Sequence, residues 1–239
     1  MRYIVSDIHG CYEEFMELME KISFSDEDEL YVLGDAMDRG PEPIRVLQEL
    51  MCRPNAFYIM GNHDLMFLTV IHTLAVEITE EGIGSLTADI LQNYQRWIMD
   101  GGETTIKQFL KLPCHEQRDV LEYLEESAPY EMMEANDSLY VLVHAGIENF
   151  SVEKELDEYD PADFLWTRVD YRRQYFPGGR IFLVTGHTPT PLIREDRKPL
   201  VYQENGHIAI DCGCVFGGAL AAYCLETGDA TYVSGKRRN

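Results

Sequence analysis

The sequence predicts an α/β fold, and three observations lead to this prediction. Short apolar runs recur along the chain, and segments with helical periodicity separate the first three of them. Each run stops abruptly at glycine or polar residues, as a buried strand does where it enters a loop. The 239 residues, 45% of them hydrophobic, are enough for one full-sized core. We therefore expect a buried sheet whose loops carry polar side chains.

The elements of this core follow one another in a simple order. Residues 12–22 and 43–51 have apolar side chains at helical spacing, which predicts two helices connecting the first three strands. The predicted strands are residues 3–5, 30–33, 56–60, 139–143, 181–184 and 207–210.

The middle of the chain has a different pattern. From residue 65 to about residue 136, strand-like runs give way to successive helical patterns, broken by glycines and by Pro113. Four helices are predicted, at residues 65–78, 86–99, 104–112 and 116–126. We therefore expect a single domain over residues 1–239 with a helical insertion at about 65–136.

The charge balance restricts the partners of the protein. The formal net charge is −22 and the isoelectric point is about 4.5, so nucleic-acid backbones and anionic membrane surfaces would be repelled. The N-terminus resembles no secretory signal, and the longest apolar stretch, residues 65–76, is too short to span a bilayer. These features predict a soluble cytoplasmic protein that binds neither nucleic acid nor membrane. An anionic substrate would have to be captured locally.

The six cysteines are scattered, which favours free thiols over a disulfide framework. The one tight pair is Cys212-Gly213-Cys214, which lacks a second pair to complete a zinc site. We expect a structural role, with alternation along a strand directing both thiols to one packed face.

The segment after residues 30–33 carries unusually dense charge, with Asp35, Asp38 and Arg39 within five positions. Asp35 is expected at the carboxyl end of a strand, where open α/β sheets bind ligands. Carboxylates hold cations, and a guanidinium clamps anionic oxygens. The motif therefore favours a site for metal-bound phosphate. Alone, it is equally compatible with a capped, salt-bridged turn before a helix starting near Pro41.

Potential metal ligands follow five of the predicted strands, and sheet geometry would gather them at one edge. These residues are Asp7 and His9, Asp35, Asn62 and His63, His144, and His187. Carboxylate, imidazole and amide donors without thiolate suit Mn, Fe or Zn. Because six or seven donors exceed the needs of one tetrahedral ion, we expect two ions about 3.5–4 Å apart with one carboxylate between them.

These motifs resemble the calcineurin-like metallophosphoesterases, and within them the small bacterial serine/threonine protein phosphatases. The resemblance rests on Asp7-Ile8-His9-Gly10, Gly34-Asp35-Ala36-Met37-Asp38-Arg39-Gly40, Gly61-Asn62-His63-Asp64, His144-Ala145-Gly146 and Gly186-His187-Thr188-Pro189. It implies a four-layer αββα sandwich with a dinuclear centre of divalent or mixed-valence ions. Asp7 and His9 would bind one ion, Asp35 would bridge, and Asn62, His144 and His187 would bind the other.

The resemblance also implies roles in catalysis. A water activated by the two cations would attack phosphorus in line. His63 would protonate the leaving alkoxide, with Asp38 orienting it. Arg39 would clamp the phosphate together with Asn62, and Arg168 is a second candidate clamp. The alternative for Arg168 is a surface residue beside Asp170.

The predicted function is hydrolysis of phosphoserine and phosphothreonine in proteins or peptides. One alternative is a diadenosine-tetraphosphate hydrolase, which would share the metal motifs and cleave a phosphoanhydride. Another is a non-catalytic metal-binding module, which would be expected to have lost His63, Asp38 or Arg39, yet all three are present. The sequence leaves the oligomeric state open.

Overall fold

The computed structural model describes residues 1–77 and 88–237. Two mixed five-stranded sheets face each other, and helices cover the outside, which confirms the predicted α/β sandwich. The first sheet has the order β10-β9-β1-β2-β3, and the second has the order β4-β5-β6-β8-β7. None of the helices in the described ranges has the length and apolar character needed to cross a bilayer.

The strands of the first sheet are β1 (Arg2–Val5), β2 (Glu29–Leu33), β3 (Ala56–Ile59), β9 (Ala219–Cys224) and β10 (Ala230–Ser234). Those of the second are β4 (Tyr130–Ala135), β5 (Ser138–Val143), β6 (Ile181–Thr185), β7 (Tyr202–Glu204) and β8 (His207–Ala209). The helices are α1 (Tyr12–Lys21), α2 (Pro43–Met51), α3 (Asn62–Glu77), α4 (Ala88–Trp97), α5 (Glu103–Phe109) and α6 (Cys114–Glu125).

Apolar layers explain why these elements stack. Ile4 and Leu33 of the first sheet pack with Leu142 of the second, so one cluster fills the space between the sheets. A larger cluster lies between the first sheet and the helices and contains Phe15 and Leu47. The outer face of the second sheet is covered mainly by loops and two single-turn 3₁₀ helices, Leu156–Glu158 and Pro161–Phe164. That layer of the sandwich is therefore thin.

All six predicted strands are present, and four further strands were missed. β4 lies inside residues 65–136, where only helices were predicted, and it pairs antiparallel with β5. β4 is only partly buried and contains two glutamates, so apolar and polar residues do not alternate clearly in its sequence. β7 is only three residues long, and β9 is rich in alanine, which strands disfavour.

The helical part of the segment begins earlier than predicted, at Asn62, and ends at Glu125. Parts of the predicted helices at 65–78 and 86–99 lie outside the described residues. A π-helical turn, Ile98–Gly102, connects α4 to α5. That residues 1–239 form one domain with a helical insertion remains a prediction.

The predicted placement of the Cys212 and Cys214 pair on one strand face is wrong. Gly213 has a left-handed φ of 70°, so this segment is a turn rather than a strand. Cys212 packs with Ala219 and Ala221, whereas Cys214 belongs to the core beneath the helices. The two thiols therefore lie in different apolar clusters.

Candidate metal centre and active site

The polar segments converge because of strand direction. β1, β2 and β3 are parallel, and so are β5, β6 and β8, so their carboxyl ends meet at one edge of each sheet. Positive φ values occur at residues just beyond these ends, although none is glycine: Asp7, His9, Asp35, Asp38, Arg39 and His187. Such a conformation is uncommon and costs energy, and it concentrates at functional sites.

Asp35 lies at the centre of the cluster. Its Oδ2 atom is 3.7 Å from Nε2 of His9 and 3.5 Å from Nε2 of His144. Gly61 approaches the carboxylate so closely that an added Cβ would lie 2.2 Å from Oδ1. Two groups of potential ligand atoms within the described part of the chain share Asp35, one with His9 and His63, the other with His144 and His187. This position suits a carboxylate between two cations.

The remaining predicted ligands complete the two sides. Asp7 Oδ1 lies 3.9 Å from Nε2 of His9. On the other side, Asn62 Oδ1 lies 2.9 Å from Nε2 of His144 and 3.0 Å from Nδ1 of His187. The structure therefore brings together all six residues predicted to bind metal.

The imidazoles are oriented for ligation. Nδ1 of His9 lies 2.7 Å from the carbonyl oxygen of Met37, and Nδ1 of His144 lies 2.7 Å from that of Leu33. Donation to these carbonyls fixes the tautomer that leaves a lone pair on Nε2. Two carboxylates, three imidazoles and one amide oxygen, nearly all buried, fit a pair of borderline cations.

Electrostatics favour the protonation states that ligation requires. Burial lowers the pKa of His9, and burial together with His144 lowers the pKa of His187 to about 3, so both rings are neutral. Burial opposes ionisation of Asp35, but His144 and His63 lower its pKa nevertheless. Burial raises the pKa of Asp7 to about 6, and the charge of Asp35 adds to that shift. The bridging candidate is thus the more readily ionised carboxylate.

The imidazole ring of His63 contacts Asp38 through its Nδ1 atom. Its Nδ1 lies 2.7 Å from Asp38 Oδ2, and its backbone N–H donates to Asp35 Oδ1 at 3.0 Å. Burial lowers the pKa of His63, but Asp35 and the hydrogen bond to Asp38 outweigh burial and raise it. The ring is therefore suited to carry a proton.

Two residues that the sequence did not indicate hold Asp38 in place. Trp97 Nε1 donates to Oδ2 at 2.7 Å, and Thr105 Oγ1 donates to Oδ1 at 2.5 Å. The Thr105 hydroxyl also accepts the backbone N–H of Asp38 at 3.0 Å. Helices from the middle of the chain thus complete the environment of the candidate acid.

Asp64 supports Asp35 from beneath. Its fully buried Oδ2 accepts hydrogen bonds from the backbone N–H of Asp35 at 3.1 Å and of Gly61 at 2.8 Å, and from the Tyr58 hydroxyl at 2.8 Å. Burial and the nearby charge of Asp35 raise the pKa of Asp64 to about 7. Its place in Gly61-Asn62-His63-Asp64 was the available sequence signal.

Arg39 is held by the π-helical turn. Its Nη2 lies 3.0 Å from Asp100 Oδ1, and its backbone N–H donates to the carbonyl of Gly101 at 3.0 Å. Nη1 contacts Nε2 of His9 at 2.6 Å, so the guanidinium reaches the cluster. Gly101 has a φ of 111°, and a Cβ there would lie 2.6 Å from the Arg39 side chain. Asp100 was not predicted, although the Gly101-Gly102 break marked this turn.

Arg168 is exposed and lies near His187, whereas Arg39 contacts His9. It is near enough to His187 for its charge to contribute to the lowered pKa of that ring. Asp170 Oδ1 accepts the backbone N–H of Arg172 at 3.1 Å, and the described contacts include no ion pair between Arg168 and Asp170. The exposed guanidinium is therefore placed to reach a ligand at the site.

Comparison with known proteins agrees with this fold. The family model of the calcineurin-like phosphoesterases matches residues 3–235. The chain belongs to this family. Membership implies a dinuclear divalent metal centre and supports metal-dependent phosphoester hydrolysis.

Individual relatives were also found. An asymmetrical bis(5'-nucleosyl)-tetraphosphatase PrpE from Geobacillus sp. (strain WCH70) is 30% identical and covers 92% of this chain and 88% of its own length. Its counterpart from Halalkalibacterium halodurans is 29% identical, with coverage of 92% and 87%. A solved structure provisionally described as a diadenosine tetraphosphatase has a TM-score of 0.64 at 22% identity, covering 99% of this chain and 94% of that one.

Proposed function

We propose that this protein hydrolyses a phosphoanhydride bond of dinucleoside tetraphosphates. The observation that carries the proposal is the similarity, over 92% of the chain, to relatives named as asymmetrical bis(5'-nucleosyl)-tetraphosphatases. It replaces the expectation from sequence that phosphoproteins are the preferred substrates. The metal-binding motifs serve either reaction, because in both reactions water displaces a leaving group at phosphorus.

In this proposal Asp7, His9, Asp35, Asn62, His144 and His187 hold two cations such as Mn, Fe or Zn. When bound, these ions supply positive charge that stabilises the transition state and lowers the pKa of water. The remaining chemistry belongs to the side chains around them.

Arg39 and Arg168 bind phosphate oxygens from opposite sides of the cluster. A guanidinium matches the spacing of two phosphate oxygens, and each hydrogen bond to a charged group contributes roughly 1.5–3 kcal/mol. Local capture of this kind is required because the net charge of −22 repels a polyphosphate at longer range. Asp100 fixes the direction of Arg39 before substrate arrives.

His63 holds a proton on the side of the leaving group, and Asp38 stabilises the charged ring. A nucleotide leaving group needs less help from an acid than a serine alkoxide does, because a phosphate oxygen is a far weaker base. The proposed substrate therefore depends less on His63 than a phosphopeptide would.

The test is a comparison of substrates with the Mn-loaded enzyme. We expect kcat/KM for diadenosine tetraphosphate to exceed that for a phosphoserine peptide by tenfold or more, and chromatography to show AMP and ATP rather than two ADP. Asp35→Asn should abolish both activities, which controls for contaminating hydrolases. A higher kcat/KM for the peptide would overturn the proposal and leave the metal chemistry intact.

A further inference from the structure

The second sheet carries a groove beside the candidate active site, and we propose that it binds the base and ribose of one nucleoside of the substrate. This inference rests on the proposed function. The groove has a volume of about 820 Å³, within the range of small-molecule sites. Its walls include Arg168, Tyr171, Thr188, Leu192 and Tyr202.

The groove lies beside the metal cluster, because one of its lining residues directly follows a candidate ligand. Thr188 follows the candidate ligand His187, and the backbone N–H of His187 donates to Asp7 Oδ2 at 2.9 Å. The Tyr171 hydroxyl lies 3.2 Å from Thr185 Oγ1, at the end of β6. A phosphate chain held at the cluster can therefore continue directly into the groove.

The polarity of the groove changes along its length. Tyr202 of β7 pairs with Ala209 of β8, two residues before the loop at Asp211, whereas Glu204 pairs with His207, farther from that edge. Arg168 marks the end near the cluster, because it is close to His187, and the carboxylate of Glu204 lies beside Tyr202, whose hydroxyl is 3.3 Å from Oε2. Phosphates match Arg168, and the amino group of a base lying on Tyr202 would match Glu204.

Between Arg168 and Glu204 the wall includes aromatic and apolar side chains beside charged ones such as Arg172 and Glu195. The rings of Tyr171 and Tyr202 meet edge to face at 5.4 Å, and Tyr202 remains partly exposed. Leu192 is 72% exposed and adds apolar surface to this wall. Arg194 does not compete for phosphate, because both its Nε and its Nη2 contact Asp196 at 2.9 Å. A base stacked on Tyr202 would cover this apolar surface.

An exposed aromatic residue on the other rim provides the competing location. Phe216 is 64% exposed and lies beneath the guanidinium of Arg39, which is 5.5 Å from the ring centroid. A cation already lies over one face of that ring, so a base could stack only on the other face.

The experiment uses Tyr202→Ala, Tyr202→Phe and Phe216→Ala in the full chain loaded with Mn. The substrates are diadenosine tetraphosphate and p-nitrophenyl phosphate, which has no nucleoside. We expect Tyr202→Ala to raise KM for the dinucleotide about tenfold, which corresponds to about 1.4 kcal/mol, and to lower the ratio of the two kcat/KM values equally. Tyr202→Phe keeps the stacking surface and should retain the wild-type ratio. Inhibition of p-nitrophenyl phosphate hydrolysis by the dinucleotide reports its binding even in a variant that does not hydrolyse it.

The outcomes separate this inference from the proposed function. Hydrolysis of the dinucleotide by the wild type with an unchanged ratio in Tyr202→Ala overturns the inference and leaves the function standing. A ratio that falls only in Phe216→Ala places the base on the other rim and also overturns it. A wild type that is neither inhibited by the dinucleotide nor hydrolyses it overturns both.

Discussion

Nδ1 of His63 lies 2.7 Å from Oδ2 of Asp38, and both side chains are almost completely buried. The same carboxylate accepts hydrogen bonds from Trp97 and Thr105, which belong to the helical part of the chain. Three donors fix Asp38 in one orientation and hold its charge beside the ring. The helices after β3 therefore help to hold the partner of the candidate acid in place.

We predict that replacing His63 affects activity according to the leaving group. His63→Asn should reduce kcat on the order of a hundredfold for phosphoserine, whose alkoxide needs a proton. The loss should be much smaller for p-nitrophenyl phosphate and diadenosine tetraphosphate, whose leaving groups are weak bases. Steady-state kinetics and metal analysis check this result, and both metals should remain bound. Equal losses on all three substrates would contradict an acid role.

Thr105 offers a matched pair of substitutions for the support of Asp38. Thr105→Val preserves shape and removes the hydroxyl, so kcat for phosphoserine should fall at least about tenfold, since a hydrogen bond to a charged group contributes roughly 1.5–3 kcal/mol. Thr105→Ser keeps the hydroxyl and should remain within about threefold of wild type. Urea unfolding separates lost activity from lost stability. Equal kcat values for the two variants would exclude a positioning role.

Asp100 is predicted to orient Arg39. In Asp100→Ala the guanidinium loses its ion pair, so KM for p-nitrophenyl phosphate should rise about three- to tenfold with little change in metal content. Asp100→Asn retains an oxygen acceptor and should have a smaller effect. Initial-rate measurements across substrate concentrations provide the check. A lower KM in Asp100→Ala would mean instead that Asp100 competes with substrate for Arg39.

His207 provides a prediction about pH and stability. Its Nε2 lies 2.7 Å from the carbonyl of Arg173, and burial lowers its pKa. A histidine with a lower pKa in the folded state destabilises the protein as pH falls below its unfolded value of about 6.5, because only the unfolded chain readily takes up the proton. His207→Gln should therefore lose less unfolding free energy than wild type between pH 7 and pH 5. Urea titrations at both pH values test this, and identical pH dependence would contradict it.

Many residues of the candidate site could be predicted from the sequence because they come directly after strands. Asp35, Asn62 and His144 each end an apolar run, and parallel pairing then brings such ends together without further information. The long apolar strands were predictable for the same reason. β9 was missed because its alanines give little strand signal.

The partners of Asp38 and Arg39 could not be predicted in this way. Thr105 is 67 positions from Asp38, and Asp100 is 61 positions from Arg39. Their contacts depend on how α5 and the π-helical turn pack beside the strand ends, which no local pattern encodes. Cys212 and Cys214 were misplaced because the left-handed Gly213 turns the chain between them.

The most direct test of this account is the metal content of the wild type and of Asp35→Asn after purification and reconstitution with Mn. Asp35 is the carboxylate shared by the two ligand groups, so its replacement should disturb both. We predict two metal ions per wild-type chain by elemental analysis, with at most one in Asp35→Asn and a loss of activity of at least about a thousandfold. Two tightly bound ions and a normal rate in Asp35→Asn would contradict the central role of this residue.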